Sequence, residues 1–335
     1  MRKRHALLSF SVVVVSLIFT VPGAPTQANA AEPSIVTISG AGPQGRWFKL
    51  ASLFAKVLGE NIKGVTFNGV TGKGVSIGNL KRINAGIVQG GLLQFLHLSQ
   101  ALEHTESFKN DPTQYDNVRV WFDMSPNLVR VVADAKYRSI SDLKAKKISI
   151  GARGSGDDQQ CRILLNAHGL TTKNTNFVYM TRTDAVNALI NKQIDGFCEP
   201  FARNNRGYLS PLFSARPIGK DVDFVRPDKA ALETIAKKYS YFYVDCKGEP
   251  VFGRPHLCGM AYTTGAAVSA KLPENLVYQM TKTLFSHWKE VQEGAPWLAS
   301  HPGAVKAADI TYLPYHPGAI KYYKEVGAWQ KSHSR

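Results

Sequence analysis

The chain has 335 residues, with 41 Lys and Arg against 25 Asp and Glu, and a formal net charge of +16. The basic residues are scattered rather than gathered into runs with interleaved aromatics, which argues against nucleic acid as a partner. Such an excess of positive charge instead favours small anions or an anionic surface.

The first thirty residues read as a secretory signal peptide. A basic start, Met1-Arg2-Lys3-Arg4, precedes a charge-free and mostly apolar run from Leu7 to Val21, and Ala28-Asn29-Ala30 fits a small-residue cleavage site. The apolar run is too short to span a bilayer, and no later run is longer. We therefore predict a periplasmic chain, cleaved near Ala30 and not membrane-spanning. The remaining residues are enough for two domains.

The first predicted strand, Ser34–Ile38, runs into a glycine-rich loop and then a helix over Arg46–Leu58. The loop matches the GxGxxG pattern of dinucleotide sites. However, the next predicted strand, Val65–Val70, ends without the acid that would bind a ribose, so no nucleotide cofactor is predicted. What remains is a helix whose first N–H groups face a cleft. The candidate ligand-facing residues of this loop are Gly42, Gln44 and Gly45.

A second glycine-rich turn, containing Thr71 and Gly72, leads to a helix that begins near Ser76. Gly74–Gly78 also matches GxSxG, but no strand runs straight into Ser76, so the pattern is not that of a nucleophile elbow. The next predicted strand lies within Asn84–Gly91 and places Gln89 at its carboxyl end, where open α/β sheets hold ligands.

Two apolar strands are then predicted over Val118–Met124 and Leu128–Val132, broken at Ser125-Pro126-Asn127. Because proline does not sit in a central strand, this break is the predicted first crossing between two domains. The long apolar strand over Met260–Ser269 is the predicted second crossing.

A third glycine-rich turn follows the strand Lys147–Ile150 and opens a helix over Gln159–His168. One interpretation is structural: a tight turn with Ser155 or Asp157 as the helix N-cap. The other is functional: a helix N-terminus that holds a carboxylate, with Arg153 either facing the cleft or lying on the surface. The candidate residues are Arg153, Gly154, Ser155, Gly156 and Asp157.

The strand Phe177–Met180, the helix Arg182–Asn191 and the strand Ile194–Cys198 continue an alternation that is typical of parallel sheets with crossover helices. Phe197 and Glu199 stand at the end of the last strand. Glu199 is either a ligand contact or a solvated loop acid.

Four cysteines are consistent with an oxidising compartment. Cys246–Cys258 is the first pairing to expect, because it closes a short loop. Cys161 and Cys198 either pair or stay buried and free. No metal pattern is present: His97 and His104 share a predicted helix without ligand-like spacing, and a structural role is favoured for both.

The order of these pieces resembles the TAXI family, the solute-binding proteins of TRAP transporters. The resemblance covers nearly all of the mature chain. It rests on the glycine loop at Ile38–Gly45, on Thr71-Gly72 with Ser76, on Gly154-Ser155-Gly156, and on the ending His316-Pro317-Gly318-Ala319 with Tyr322-Tyr323. The chain departs from the family pattern at Pro43, Gln44 and Arg46, at Gly90, and at Phe197-Cys198-Glu199.

The resemblance implies an α/β fold of the two-lobed periplasmic binding protein type (type II-like), in which each lobe is a mixed sheet flanked by helices and the ligand cleft lies between the lobes. Residues 31–125 with 259–335 would form lobe 1, and residues 126–258 would form lobe 2. The implied function is capture of a small carboxylate-bearing solute, such as glutamate, glutamine or a dicarboxylate. Delivery to a TRAP permease, a monomeric state and the absence of a cofactor and of catalysis are also expected.

Two alternatives stay open at this point. A secreted hydrolase on the same scaffold would use Ser76 or Ser155 with a histidine such as His168 or His256 beside it. A binding protein coupled to a sensor rather than to transport is the other.

Overall fold

The structure is a computed structural model that describes residues 33–43, 45–72, 74–202, 222–246 and 257–329. The predicted signal peptide and Gln44 lie outside the described residues. Within the described ranges, no helix is both long enough and apolar enough to cross a membrane.

Ten strands and nine α-helices are present in the described part of the chain. The strands are β1 Ile35–Ser39, β2 Thr66–Val70, β3 Gly90–Gln94, β4 Val118–Asp134, β5 Lys147–Ser149, β6 Asn176–Val178, β7 Gly196–Ala202, β8 Val222–Val225, β9 Tyr243–Asp245 and β10 Gly259–Ser269. The helices are α1 Arg46–Asn61, α2 Val75–Asn84, α3 Phe95–Leu102, α4 Gly156–Ala167, α5 Arg182–Ile190, α6 Lys229–Lys238, α7 Glu274–Ser286, α8 Trp288–Gly294 and α9 Pro317–Glu325.

All the strands belong to one mixed sheet in the order β2-β1-β3-β10-β4-β7-β5-β6, with β8 beside β4 and β9 beside β10. The two outer groups, β1 to β3 and β5 to β7, contain parallel pairs, whereas β4 and β10 run antiparallel to each other. The predicted α/β class is confirmed. The expectation of parallel sheets holds only for the outer groups, because β4 and β10 lie between them and pair antiparallel with each other, with β3 and with β7.

The centre of the sheet is apolar because β10 is covered on both faces. Ten of its eleven residues are buried. Buried side chains form one large apolar cluster that joins residues 36–124 to residues 266–328. Two smaller clusters take nearly all their members from residues 129–262. The chain therefore has separate cores on either side of the stretch where β4 and β10 cross.

The break predicted at Pro126 is wrong, since β4 is continuous through it. Pro126 is paired with Thr263 of β10, but the pairing of β4 with β7 begins only at Asn127. The proline therefore has a strand neighbour on one side, which is the position a strand tolerates.

Two other boundaries differ from the expectation. Helix α2 extends to Asn84 and β3 begins at Gly90, so Gln89 precedes the strand instead of ending it. The sequence also predicts a single helix that opens at Pro273-Glu274 and runs to about Gln292, but it is divided at His287 into α7 and α8.

Both disulfides are formed. The predicted Cys246–Cys258 bond is confirmed and joins the end of β9 to the start of β10. The pair left open, Cys161 and Cys198, is also bonded, and it ties α4 to β7 inside the second core.

Candidate functional site

One imidazole lies where two helix N-termini meet. Ser76, in the first turn of α2, has its Oγ 2.9 Å from Nδ1 of His97 on α3. On the opposite side stands Gly156, the first residue of α4, where a Cβ would lie 3.2 Å from His97 Nε2. The helices come from the two outer parts of the sheet, so the two halves of the chain converge on His97.

The hydrogen bonds around Ser76 indicate which ring nitrogen carries the proton. The Gln94 N–H donates to Ser76 Oγ at 2.9 Å. The Ser76 hydroxyl then has two acceptors in reach, His97 Nδ1 at 2.9 Å and the Gln94 carbonyl at 3.5 Å. The shorter contact favours Nδ1 as the acceptor, which puts the ring proton on Nε2. His97 is 3% exposed, and Nε2 has no hydrogen-bond partner among the described residues.

Burial lowers the pKa of His97 to about 4, so the ring is neutral near pH 7. A neutral ring is compatible with its place, because both helix N-termini carry positive partial charge. The Nε2–H therefore lies beside the first turn of α4, whose first N–H groups are also donors. An oxyanion is the group that such a set of donors binds.

The glycine turn before α4 is a capping structure. Ser155 is the N-cap, and its Oγ accepts from the Asp158 N–H at 3.2 Å. Asp158 Oδ2 accepts from the Gly154 N–H at 2.9 Å. The structural interpretation of Ser155 is confirmed. It is compatible with the functional one, because the N–H groups of Gly156 and Asp157 remain the first donors without a partner inside the helix.

A charged cluster stands behind the start of α4. Arg182, the first residue of α5, donates to Asp157 Oδ2 at 2.9 Å, and its Nε is 3.3 Å from Glu199 Oε2. Glu199 is fully buried within β7, which continues to Ala202. The interpretation of Glu199 as a solvated loop acid is therefore wrong. Its part as a ligand contact stays a prediction.

Two further polar contacts link the halves of the chain. Gln160 of α4 donates through Nε2 to Gln94 Oε1 at 2.9 Å. Asn127 of β4 donates to the Tyr262 hydroxyl of β10 at 3.2 Å. Burial, and then the nearby charge of Asp157, raise the pKa of Tyr262, so its hydroxyl stays protonated beside the charged cluster.

The loops around β1 and β2 pack on each other. Gly45 donates to the Gly42 carbonyl at 2.8 Å, and Gly72 donates to the Ala41 carbonyl at 2.9 Å. A Cβ on Gly72 would lie 2.3 Å from Asn79 Oδ1, so only glycine fits there. Thr71 is exposed, and its carbonyl accepts from Arg82. These residues lie in the loops next to the N-terminus of α2. Their contact with a ligand remains a prediction.

Three candidates are placed away from the convergence on His97. Gln89 lies at the amino end of β3, where its Oε1 accepts from the Thr37 N–H, so the argument from a strand's carboxyl end is wrong. Phe197 is fully buried in an apolar cluster of β7 and α5 because its side chain points into the sheet's covered face. Arg153 is exposed and lies over the ring of Tyr179, 4.1 Å from its centroid, which supports the surface interpretation.

Sequence reasoning missed the residues that hold the site together: Gln94, His97, Gln160 and Arg182. Gln94 would have stood out at a strand's carboxyl end if β3 had been placed correctly. For His97 the sequence favours a structural role over that of a metal ligand, and no local pattern distinguishes it because almost every residue of α3 is buried. Within the described ranges, no group of three or more His, Cys, Asp or Glu side chains could hold a metal ion.

The mixed sheet, its flanking helices and the polar contacts where β4 and β10 cross define a fold of the two-lobed periplasmic binding type. The chain belongs to the NMT1-like family, whose match spans residues 38–327.

Two solved structures with TM-scores above 0.5 agree on the fold at low identity, and a third is similar at a lower score. PhnD1 from Prochlorococcus marinus, in complex with methylphosphonate, is 10% identical with a TM-score of 0.53, over 88% of this chain and 97% of that one. XAC2383 from Xanthomonas citri, bound to ATP, is 8% identical with a TM-score of 0.53, over 90% and 99%. The periplasmic aliphatic sulphonate binding protein SsuA from Escherichia coli is 12% identical with a TM-score of 0.49, over 88% and 84%.

Proposed function

We propose that this chain is a periplasmic solute-binding protein that captures a small carboxylate-bearing anion between two lobes. The observation that carries the proposal is the convergence of two helix N-termini on the buried, neutral ring of His97. Its Nδ1 contacts Ser76 of α2, and its Nε2–H, which has no partner among the described residues, lies beside the start of α4. Donors of this kind bind an oxyanion without a dedicated salt bridge.

The proposed lobes are residues 31–125 with 259–335, and residues 126–258. The separate apolar cores on either side of the crossing strands support this division. Lobe movement would then be a hinge through β4 and β10, which are the two strands that run from one core to the other.

Delivery to a membrane permease follows from the binding role. A TRAP-type permease, and membership of the TAXI group, rest on the sequence resemblance alone. Methylphosphonate, the ligand in PhnD1, is a small oxyanion but not a carboxylate, so it supports the oxyanion part of the proposal alone.

The contact of Ser76 with His97 is the one observation that favours the hydrolase alternative. Both side chains are only 3% exposed, and Ser76 Oγ already accepts from Gln94. A serine nucleophile needs a base that a third group orients, and His97 Nε2 has no such partner among the described residues, so the pair fits ligand recognition better than acyl transfer.

The test is a thermal-shift screen of the mature protein against carboxylates, phosphonates and sulphonates, followed by calorimetry on each hit. A ligand at a hundred times its Kd adds about 2.7 kcal/mol of stability, a visible shift in Tm. We expect hits among small carboxylates, and loss of the shift in His97→Phe, which removes both ring nitrogens. His287→Phe, a change far from α4, is the control that should keep the shift. If His97→Phe binds as tightly as the wild type, the site is misassigned, and release of product from any hit would favour the hydrolase.

A further inference from the structure

Three buried polar atoms that have no hydrogen-bond partner in the described part of the chain lie at the contact between α3 and α4. They are Nε2 of His97, Oε1 of Gln100 and Oε1 of Gln160. The three side chains are 3%, 0% and 0% exposed. We refer to this contact, made by residues 94–100 of one half and 156–160 of the other, as the α3–α4 seam.

Each glutamine uses its nitrogen and leaves its oxygen unused. Gln100 Nε2 donates to the Tyr241 hydroxyl at 3.3 Å and to Gln159 Oε1 at 3.4 Å. Gln160 Nε2 donates to Gln94 Oε1 at 2.9 Å. The seam therefore offers one N–H donor, from His97, and two neutral carbonyl acceptors.

The two glutamines lie close to the start of α4. His97 and Gln160 both flank Gly156, and Gln100 is one turn beyond His97 on the same helix. Buried polar groups are nearly always hydrogen-bonded in folded proteins, because an unmade bond leaves the full cost of desolvation. Three unsatisfied polar atoms in the α3–α4 seam indicate that a bound solute supplies their hydrogen-bond partners.

We infer that the solute carries an uncharged O–H or N–H donor in addition to its oxyanion, as a small hydroxy acid does. The inference rests on the proposed function and narrows its substrate class. The oxyanion would accept from His97 Nε2–H and the N-terminus of α4, while the hydroxyl would donate to a glutamine oxygen. The donor is expected to be neutral because the acceptors are amides, and the nearby acids Asp157 and Glu199 already face Arg182.

The test compares acids that differ by one hydroxyl group, glycolate with acetate and lactate with propionate, by calorimetry on the mature chain. One additional hydrogen bond to a buried acceptor should make the hydroxylated acid bind about tenfold more tightly. Gln160→Met and Gln100→Met keep the side-chain length and remove the whole amide, so the ratio within each pair of acids is the readout and not the absolute affinity. At least one of them should reduce this ratio toward one.

Gln193→Met, at an exposed glutamine, is the matched control and should keep the full ratio. If plain and hydroxylated acids bind the wild type equally, the inference is overturned and the proposed function stands. If neither series binds, nor any other acid in the screen, the proposed function itself fails. The wild-type comparison decides the matter even where a variant does not fold.

Discussion

Burial controls what the histidines of this chain can do. His97, His301 and His316 each have a pKa lowered to about 4, with burial as the largest cause. An unfolded chain binds these protons near the ordinary value of 6.5, so between the two values the unfolded state holds more protons than the folded one. Their contribution to stability is therefore fully present above pH 6.5 and is lost as the pH falls toward 4.

For His97, we predict that replacement by Gln removes one part of this pH dependence. The difference in unfolding free energy between wild type and His97→Gln should shrink between pH 6.5 and 4, by up to about 3 kcal/mol, because Gln does not titrate. Urea unfolding at several pH values measures it.

Leu96→Val, a non-titrating change at the neighbouring buried position, should differ from the wild type by the same amount at every pH. The quantity to compare is the difference in unfolding free energy between wild type and variant. Buried Asp123, whose pKa is raised, stabilises both proteins as the pH falls, and this trend cancels in the difference. A His97→Gln difference that does not change with pH would contradict the burial argument.

The first residue of α4 allows close packing against α3 at the expense of helix stability. Gly156 is the first helical residue, where alanine would favour the helix. A Cβ there would stand 3.1 Å from His97 Cε1, which is a tight contact. The glycine is thus explained by the helix that packs against it across the α3–α4 seam.

We predict that Gly156→Ala weakens solute binding by about tenfold while changing the unfolding free energy by no more than about 1 kcal/mol. Overpacking a tight contact costs about 1–3 kcal/mol of stability. The variant can avoid this cost if α3 and α4 stay apart. Calorimetry and denaturant unfolding measure the two effects. In the control, Gly59→Ala on α1, a Cβ would meet nothing within 4 Å, so affinity should not change. Equal affinities for Gly156→Ala and wild type would show that the seam does not close on the solute.

At the scale of the whole molecule, the two disulfides have different positions relative to the site. Cys161–Cys198 spans 37 residues and holds α4 against β7, next to Glu199. Cys246–Cys258 spans 12 residues and links β9 to β10. Only the first is attached to the helix whose N-terminus forms the site.

Removing either bond should lower stability by about 2–5 kcal/mol, with the larger loss for Cys161→Ala/Cys198→Ala because its loop is longer. We predict that only this pair also weakens solute binding. Cys246→Ala/Cys258→Ala serves as the matched control for general destabilisation. Thermal unfolding and calorimetry at a temperature where both variants are folded separate the effects, and equal losses of affinity would refute the distinction.

Some features of the fold and the site can be predicted from local sequence patterns, and others cannot. The start of α1 at Arg46, the Ser155 cap and the Cys246–Cys258 bond follow from local patterns, because caps, turns and short loops are local. The position of β3 does not: Gly90 and Gly91 lie in the strand, where a Cβ would stand 3.3 Å from the Ala267 carbonyl and 3.2 Å from the Ser39 carbonyl, and these are contacts with distant parts of the chain. The role of His97 also depends on Gly156, which is distant in sequence and lies beside His97 only once the chain has folded.

The place of β10 in the sheet has a consequence for the order of folding. β3 and β4 are not neighbours; β10 lies between them and pairs with both. A chain that emerges from its amino end therefore has two unpaired strand edges until residue 269 is available. Such non-local pairing slows folding and exposes edges to aggregation. We expect the central strand to close the sheet late, which makes a truncated chain ending before β10 the form most prone to associate with itself.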